Sequence, residues 1–277
     1  MSQQETYLFI DAEYLKQRYR HYMQSYFGAG DHAELIEEIE LETIKSQANA
    51  QKAFYYDCLH DIRRNSETDE AFQERLKRDT RRLERIRRLD GFHVRLGSVS
   101  GNRKKIRQKQ VDVLLAVDML SHAHRGNFRK AILLAGDLDF KPVIDALVQA
   151  GSYVTLWCDR IVATNELRSS ADSVRDLAFS DYIDWTDGEF LAFTENFPWK
   201  VDAGKEDSLP HLMTGHTDRI RIELHGGTSG DEGDAQYIAL CDGDRHSIYV
   251  AYEYPDRSRL QRFVELEYGP VQWKGHE

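Results

Sequence analysis

An apolar run, Ala131 to Ala135, closes on Gly136 and passes at once into Asp137-Leu138-Asp139-Phe140. Such a run, short and apolar on both of its faces, reads as a buried strand, and two carboxylates then stand at its C-terminal tip. Three more runs have a similar character: Tyr7 to Ile10, which ends on Asp11; Ala53 to Tyr56, bounded by Asp57; and Tyr153 to Trp157. Phe92 to Leu96 alternates as a shorter strand should. Between them lie helix-compatible stretches at Tyr14 to Phe27, Ala33 to Ala50, Asp69 to Leu89 and Gln110 to His122. Another runs from Pro142 to about Ala150, where Gly151 stops it. Strands alternating with helices in this way predict an α/β fold with a doubly wound, mostly parallel sheet and right-handed crossovers.

This unit is expected to cover residues 1–185, with a helical basic insertion at about 60–90. Beyond it the pattern changes to short β-like runs, Ile220 to Leu224, Tyr237 to Leu240, Ile248 to Tyr252 and Phe263 to Leu266. Gly226-Gly227, Asp242-Gly243-Asp244 and Pro255-Asp256 supply the turns. Residues 186–277 therefore read as a linker and a small antiparallel, β-rich appendage.

With 41% hydrophobic and 30% charged residues in 277, the chain can bury a sizeable core. No apolar run approaches the ~18 residues that span a bilayer, and the polar start, Met1 to Thr6, does not resemble a signal segment. Cys58, Cys158 and Cys241 are odd in number and widely spaced, which argues against a disulfide framework and fits a reducing, cytoplasmic setting. The net charge of -10 conceals a basic stretch, Arg63 to Lys109, densest at Arg81-Arg82, Arg87-Arg88 and Arg103-Lys104-Lys105. One basic face on an acidic body is the expected charge distribution.

In open α/β sheets, ligands bind outside the C-terminal ends of the strands. Asp11, Asp137 and Asp139 fall there, and Asp112, opening the helical stretch near Gln110, can reach the same crevice. Several carboxylates at one spot suit a hard divalent ion, Mg²⁺ or Mn²⁺, which takes oxygen ligands. They also repel one another, by ~4 kcal/mol for two charges about 4 Å apart at an effective dielectric near 20. The competing reading is that aspartates at strand ends cap the helices that follow. Asp118 shares the apolar face of Leu114 and Leu115, so it needs a partner; it either supports the site's acids from behind or is a structural aspartate.

The segments FIDAEYL (Phe9 to Leu15), KQVDVLLAVDML (Lys109 to Leu120) and AILLAGDLDFKPVIDALVQAGSYVTLW (Ala131 to Trp157) resemble, in order and spacing, the NYN domain and within it the LabA-like branch. The resemblance extends over roughly Thr6 to Trp185, with Asn165 to Asp172 similar to the family's closing helix. It implies a PIN-like ribonuclease fold and a metal-dependent endoribonuclease in which Asp11, Asp112, Asp137 and Asp139 match the acidic catalytic and metal-binding residues. Three departures stand out: Tyr14 replaces an asparagine, and Ala135 and Leu138 occupy the places of the two serines in SGDSDF.

Arg103, Lys104, Lys105, Arg107 and Lys109 lie in a basic loop just before Asp112, an arrangement that suits the backbone of a single-stranded or structured RNA. Tyr14, Tyr19, Tyr22 and Tyr26 are either stacking surfaces for bases or core residues. Two other functions compete: a catalytically silent RNA-binding or assembly module with a structural cation, and a small-molecule phosphatase using Asp11 as nucleophile. The appendage is expected to bind a protein partner, RNA or a second copy of the chain.

Overall fold

The computed structural model describes residues 5–28, 39–59, 63, 67–97, 104–187, 197–228, 235–242 and 249–275, with the side chains of 104–109 outside that set. The chain forms two compact units, Met1–Arg20 with Ala33–Leu177, and His21–His32 with Ala178–Glu277.

The first unit is an α/β layer structure around a six-stranded parallel sheet. Its strands are β1 (Thr6–Asp11), β2 (Lys52–Asp57), β3 (Phe92–Leu96), β4 (Lys130–Leu134), β5 (Tyr153–Asp159) and β6 (Ser173–Leu177), in the order β3-β2-β1-β4-β5-β6. Apart from its first residue, β1 is buried throughout, as is β4, which is why their sequences do not alternate. The helices are α1 (Ala12–Phe27), which continues into the second unit, α2 (Leu41–Gln47), α3 (Asp69–Arg88), α4 (Lys104–His124), α5 (Lys141–Gln149) and the single turn α6 (Asn165–Arg168).

Phe9, Phe54, Tyr56 and Leu133 on one sheet face meet Leu115 and Met119 of α4 and Ile144 and Leu147 of α5 in a continuous core. Burying each of these side chains contributes roughly 1.5–3 kcal/mol. Local signals set the ends: the Thr68 hydroxyl accepts the Ala71 N–H to start α3, Pro142 lies in the first turn of α5, and Gly151 (φ 82°) turns the chain toward β5.

The second unit holds a six-stranded sheet, formed by β7 (Trp199–Val201), β8 (His211–His216), β9 (Arg221–Thr228), β10 (Ala235–Asp242), β11 (Tyr249–Tyr254) and β12 (Gln272–Gly275) in the order β12-β8-β9-β10-β11-β7. Its pairings are antiparallel. Among the described residues it also carries helices α7 (Phe179–Asp184) and α8 (Arg257–Tyr268).

Three local expectations are corrected. Residues 104–109 are helical rather than looped, so Asp112 lies in the third turn of α4 instead of opening it; Lys, Arg and Gln are good helix formers, and the charge run obscured that. Phe263 to Leu266 belongs to α8, where Asp256 caps the first turn at 2.9 Å and Leu260, Phe263 and Val264 repeat at helical spacing. The stretch Asn165 to Asp172 yields only one helical turn before β6. The part of Ala33 to Ala50 at 33–38 lies outside the described residues. The four tyrosines Tyr14, Tyr19, Tyr22 and Tyr26 are all buried, Tyr22 against Phe179 at 5.5 Å and Tyr26 against Phe197 at 5.0 Å. They are core residues.

Candidate active site

The strand order reverses between β1 and β4, and the crevice beyond the C-terminal ends of these strands is where an open α/β sheet binds ligands. Ile10 pairs with Leu134, so Asp11 and Asp137 flank this switch point. Four adjacent strands in fact lead into an aspartate: Asp57 at the end of β2, Asp11 of β1, Asp137 just after β4 and Asp159 of β5. Their charges are treated differently.

The outer two are buried and neutralised. Asp57, 2% exposed, accepts hydrogen bonds from Lys16 Nζ at 2.8 Å and from Arg82 at 3.1 Å. Burial pulls the Lys16 ammonium down, yet the Asp57 charge carries it above the ordinary lysine value. Asp159, 1% exposed, is gripped by Arg18 at 2.6 and 3.0 Å. Sequence reading did not identify these pairs; the only signal was an aspartate closing each apolar run and a cation five or seven residues beyond Asp11.

The inner acids are different. Asp11 is buried, its Oδ1 accepts the N–H groups of Glu13 (3.0 Å) and Tyr14 (3.2 Å), and among the described residues no lysine or arginine pairs with it. Burial first, and then the nearby charge of Asp112, pushes its carboxyl up to about 7 against the pull of those N–H groups. Asp11 is thus both a helix cap and half of a carboxylate pair. Asp137 and Asp139 are exposed, and Asp137 Oδ1 caps the 3-10 turn Leu138–Phe140 by accepting the Asp139 N–H at 3.0 Å.

The structure therefore couples Asp11 to Asp112 and sets Asp137 and Asp139 at the adjoining strand tip. Among the described residues, no three of His, Cys, Asp or Glu converge closely enough to hold an ion alone. The donor chemistry nevertheless fits a hard divalent cation. Asp11 is a buried carboxylate that no lysine or arginine among the described residues pairs with, next to a second carboxylate, and Mg²⁺ commonly takes one or two carboxylates with waters and substrate phosphates completing its shell.

Tyr14 ties this edge together. Its own N–H reaches Asp11, its Oη accepts the Asp159 N–H at 2.6 Å, and its ring lies on Gly136. Asp118 is on α4, where Arg95 donates to it at 2.8 and 3.2 Å and Tyr56 Oη at 3.1 Å. Arg103 lies outside the described residues, as do the side chains of Lys104, Lys105, Arg107 and Lys109, whose backbone forms the first turns of α4.

The family model of the NYN domain matches residues 5–178. Among curated proteins, none matches the chain significantly. A solved structure, that of a protein of unknown function from Vibrio parahaemolyticus RIMD 2210633, is 18% identical with a TM-score of 0.45, over 66% of this chain and 96% of its own. No helix among the described residues is long and apolar enough to cross a membrane.

Proposed function

Because the chain belongs to the NYN domain family, whose members are typically ribonucleases of the PIN-like superfamily, we propose that it is a metal-dependent endoribonuclease of the LabA-like branch that hydrolyses RNA phosphodiester bonds at the edge carrying Asp11, Asp112, Asp137 and Asp139. One observation supports this reading above the rest. The fold neutralises the strand-end acids Asp57 and Asp159 with buried cations, whereas Asp11, between them, lies beside another carboxylate, accepts from backbone N–H groups and has, among the described residues, no lysine or arginine paired with it. A buried carboxylate raised by burial and by a neighbouring acid is eased by a bound cation.

Mg²⁺ or Mn²⁺ held there would supply Lewis acidity toward the phosphoryl oxygens and the attacking water. The remaining work is done by the chain. Asp11, fixed by its cap, and Asp112, presented by α4, would hold the ion, with Asp137 and Asp139 as its further ligands from the adjoining strand tip; Asp118 acts behind them by fixing Tyr56 beside Asp11 in the sheet. The N-terminus of α4 with Arg103, Lys104, Lys105, Arg107 and Lys109 draws in the RNA backbone.

The deciding experiment incubates the purified protein with end-labelled RNA and, separately, with p-nitrophenyl phosphate, with Mn²⁺ and with EDTA. Endonucleolytic RNA cleavage that stops with EDTA supports the proposal. RNA binding without cleavage marks a silent module, and ester hydrolysis without RNA cleavage marks a phosphatase.

A further inference from the structure

The second sheet gathers donors of a different kind. Ile222, Leu224, Ala239 and Tyr252 share one of its faces, where Tyr252 meets Phe263 of α8 at 4.9 Å. Alternation turns Glu223 and His225 of β9 to the opposite face. On β8, Thr214 stands across from Glu223, and His211 across from His225. That last pairing depends on a bulge: the register shifts between His211 and Met213, and the extra residue, Leu212, carries His211 from the α8 face to the face of His225. Bulges commonly re-aim a side chain at a site. The neighbours of His225 also fix where its proton sits. Its Nδ1 lies 3.2 Å from the Leu209 carbonyl, which only accepts, so Nδ1 carries the hydrogen. In the neutral ring the lone pair is then on Nε2, which is buried and has no hydrogen-bond partner among the described residues. It faces Glu223 Oε2 at 3.7 Å, beyond hydrogen-bond reach. Arg221 pairs with the other carboxylate oxygen, Oε1, at 2.7 Å. The ring of His211 stands steeply tilted to that of His225, with centroids 5.2 Å apart and its Nε2 3.1 Å from the Thr214 hydroxyl. Two lone pairs turned toward each other call for a positive charge between them.

We propose that His225 Nε2 and Glu223 Oε2 are ligands of a divalent cation of the zinc type, with His211 as the third ligand once its ring turns away from Thr214 and with water completing the shell. Bonds from Zn²⁺ to imidazole nitrogen and carboxylate oxygen are about 2.0–2.2 Å long, so two of them at a tetrahedral angle span ~3.4 Å. The separation of 3.7 Å needs only slight closure. A backbone carbonyl on the far ring nitrogen is the support by which metal-binding histidines hold their tautomer. Among the described residues no three such groups converge as they stand, so the turning of His211 is part of the proposal. Donor chemistry separates this site from the acidic edge of the first sheet: imidazole suits Zn²⁺, whereas carboxylates alone suit Mg²⁺ or Mn²⁺. The site therefore stands or falls independently of the ribonuclease reading. The competing account puts a proton on Nε2 and makes His225 and Glu223 an ion pair. It has no use for His211 or for the bulge that aims it.

The test titrates Zn²⁺ calorimetrically into the full chain at neutral pH, with Mg²⁺ in excess and with Asp11→Asn in place so that the acidic edge does not compete. One Zn²⁺ should bind per chain and raise the melting temperature. His225→Gln, Glu223→Gln and His211→Asn should each weaken binding by at least about tenfold, whereas Thr214→Val, which alters the same face without removing a ligand, should stay within about threefold or bind more tightly. Circular dichroism confirms the fold of each variant. The Glu223 side chain is 30% exposed, so its variant in particular should fold as the parent does. Absence of zinc binding in the parent overturns the site and leaves His225 and Glu223 as an ion pair. Zinc binding that survives unchanged in any of the three ligand variants overturns it equally.

Discussion

The ring of Tyr14 lies directly on Gly136. A Cβ built at 136 would be 3.1 Å from both Cδ2 and Cζ of that ring and closer still to Cε2. Because Gly136 immediately precedes Asp137, the contact sets where the second acidic tip stands relative to Asp11, whose carboxylate accepts the Tyr14 N–H. The aromatic residue that departs from the family pattern is thus a spacer between two acids.

Gly136→Ala should therefore destabilise the protein by about 1–3 kcal/mol through overpacking and reduce RNA cleavage. Tyr14→Phe keeps the ring and should give no relief, whereas Tyr14→Asn, itself destabilising because it removes a buried ring, should abolish most of the additional cost of Gly136→Ala. Urea unfolding of the four proteins of this double-mutant cycle measures the coupling; additive effects would contradict the contact.

Asp11 carries a pH signature. Its folded-state value of about 7 lies above the ordinary carboxylate value of 3.8, so between these pH values the folded protein holds a proton that the unfolded chain has lost. The metal-free protein is then favoured at low pH and loses this contribution as pH rises through 7, on the order of 2–4 kcal/mol in all. Asp11→Asn retains a capping side chain without the charge. It should raise the melting temperature at pH 8 in EDTA, leave it nearly unchanged at pH 4, and abolish the additional stabilisation that Mn²⁺ gives the wild type. Calorimetric scans across pH check all three.

Lys16→Met should cost about 3 kcal/mol, since it strips one partner from a buried carboxylate. Lys16→Met combined with Asp57→Leu should cost less than Lys16→Met alone. Cleavage per folded molecule should stay within a few-fold in both. Denaturant titration beside an RNA assay separates this structural pair from the candidate site.

Replacing Arg103, Lys104 and Lys105 by Ala should weaken RNA binding and lower the slope of log K against log salt by about 2. Fluorescence anisotropy over a salt series measures it. An unchanged slope would remove these residues from the interface.

Much of this edge can be read from the sequence because burial on both sheet faces leaves uninterrupted apolar runs, and the first polar residue after each run marks the tip. Asp11 and Asp137 are visible on that basis. The charge pattern around them is not. Lys16 and Asp57 are 41 residues apart and Arg18 and Asp159 are 141 apart, so which acids are neutralised depends on sheet order, which no local window contains. The same limit hid α8: Phe263 to Leu266 has strand composition over four residues, and its helical period appears only when Leu260 and the Asp256 cap are included. Tyr14 looked like the loss of a polar group, and its role as a spacer appears only once Gly136 is beneath it.

The central claim is that Asp11 anchors a divalent ion whose chemistry cuts RNA. Single-turnover cleavage of end-labelled RNA at saturating Mn²⁺, wild type against Asp11→Asn, tests it most directly. The account predicts a fall of about a hundredfold or more with the fold intact by circular dichroism; equal rates for the two proteins would contradict it.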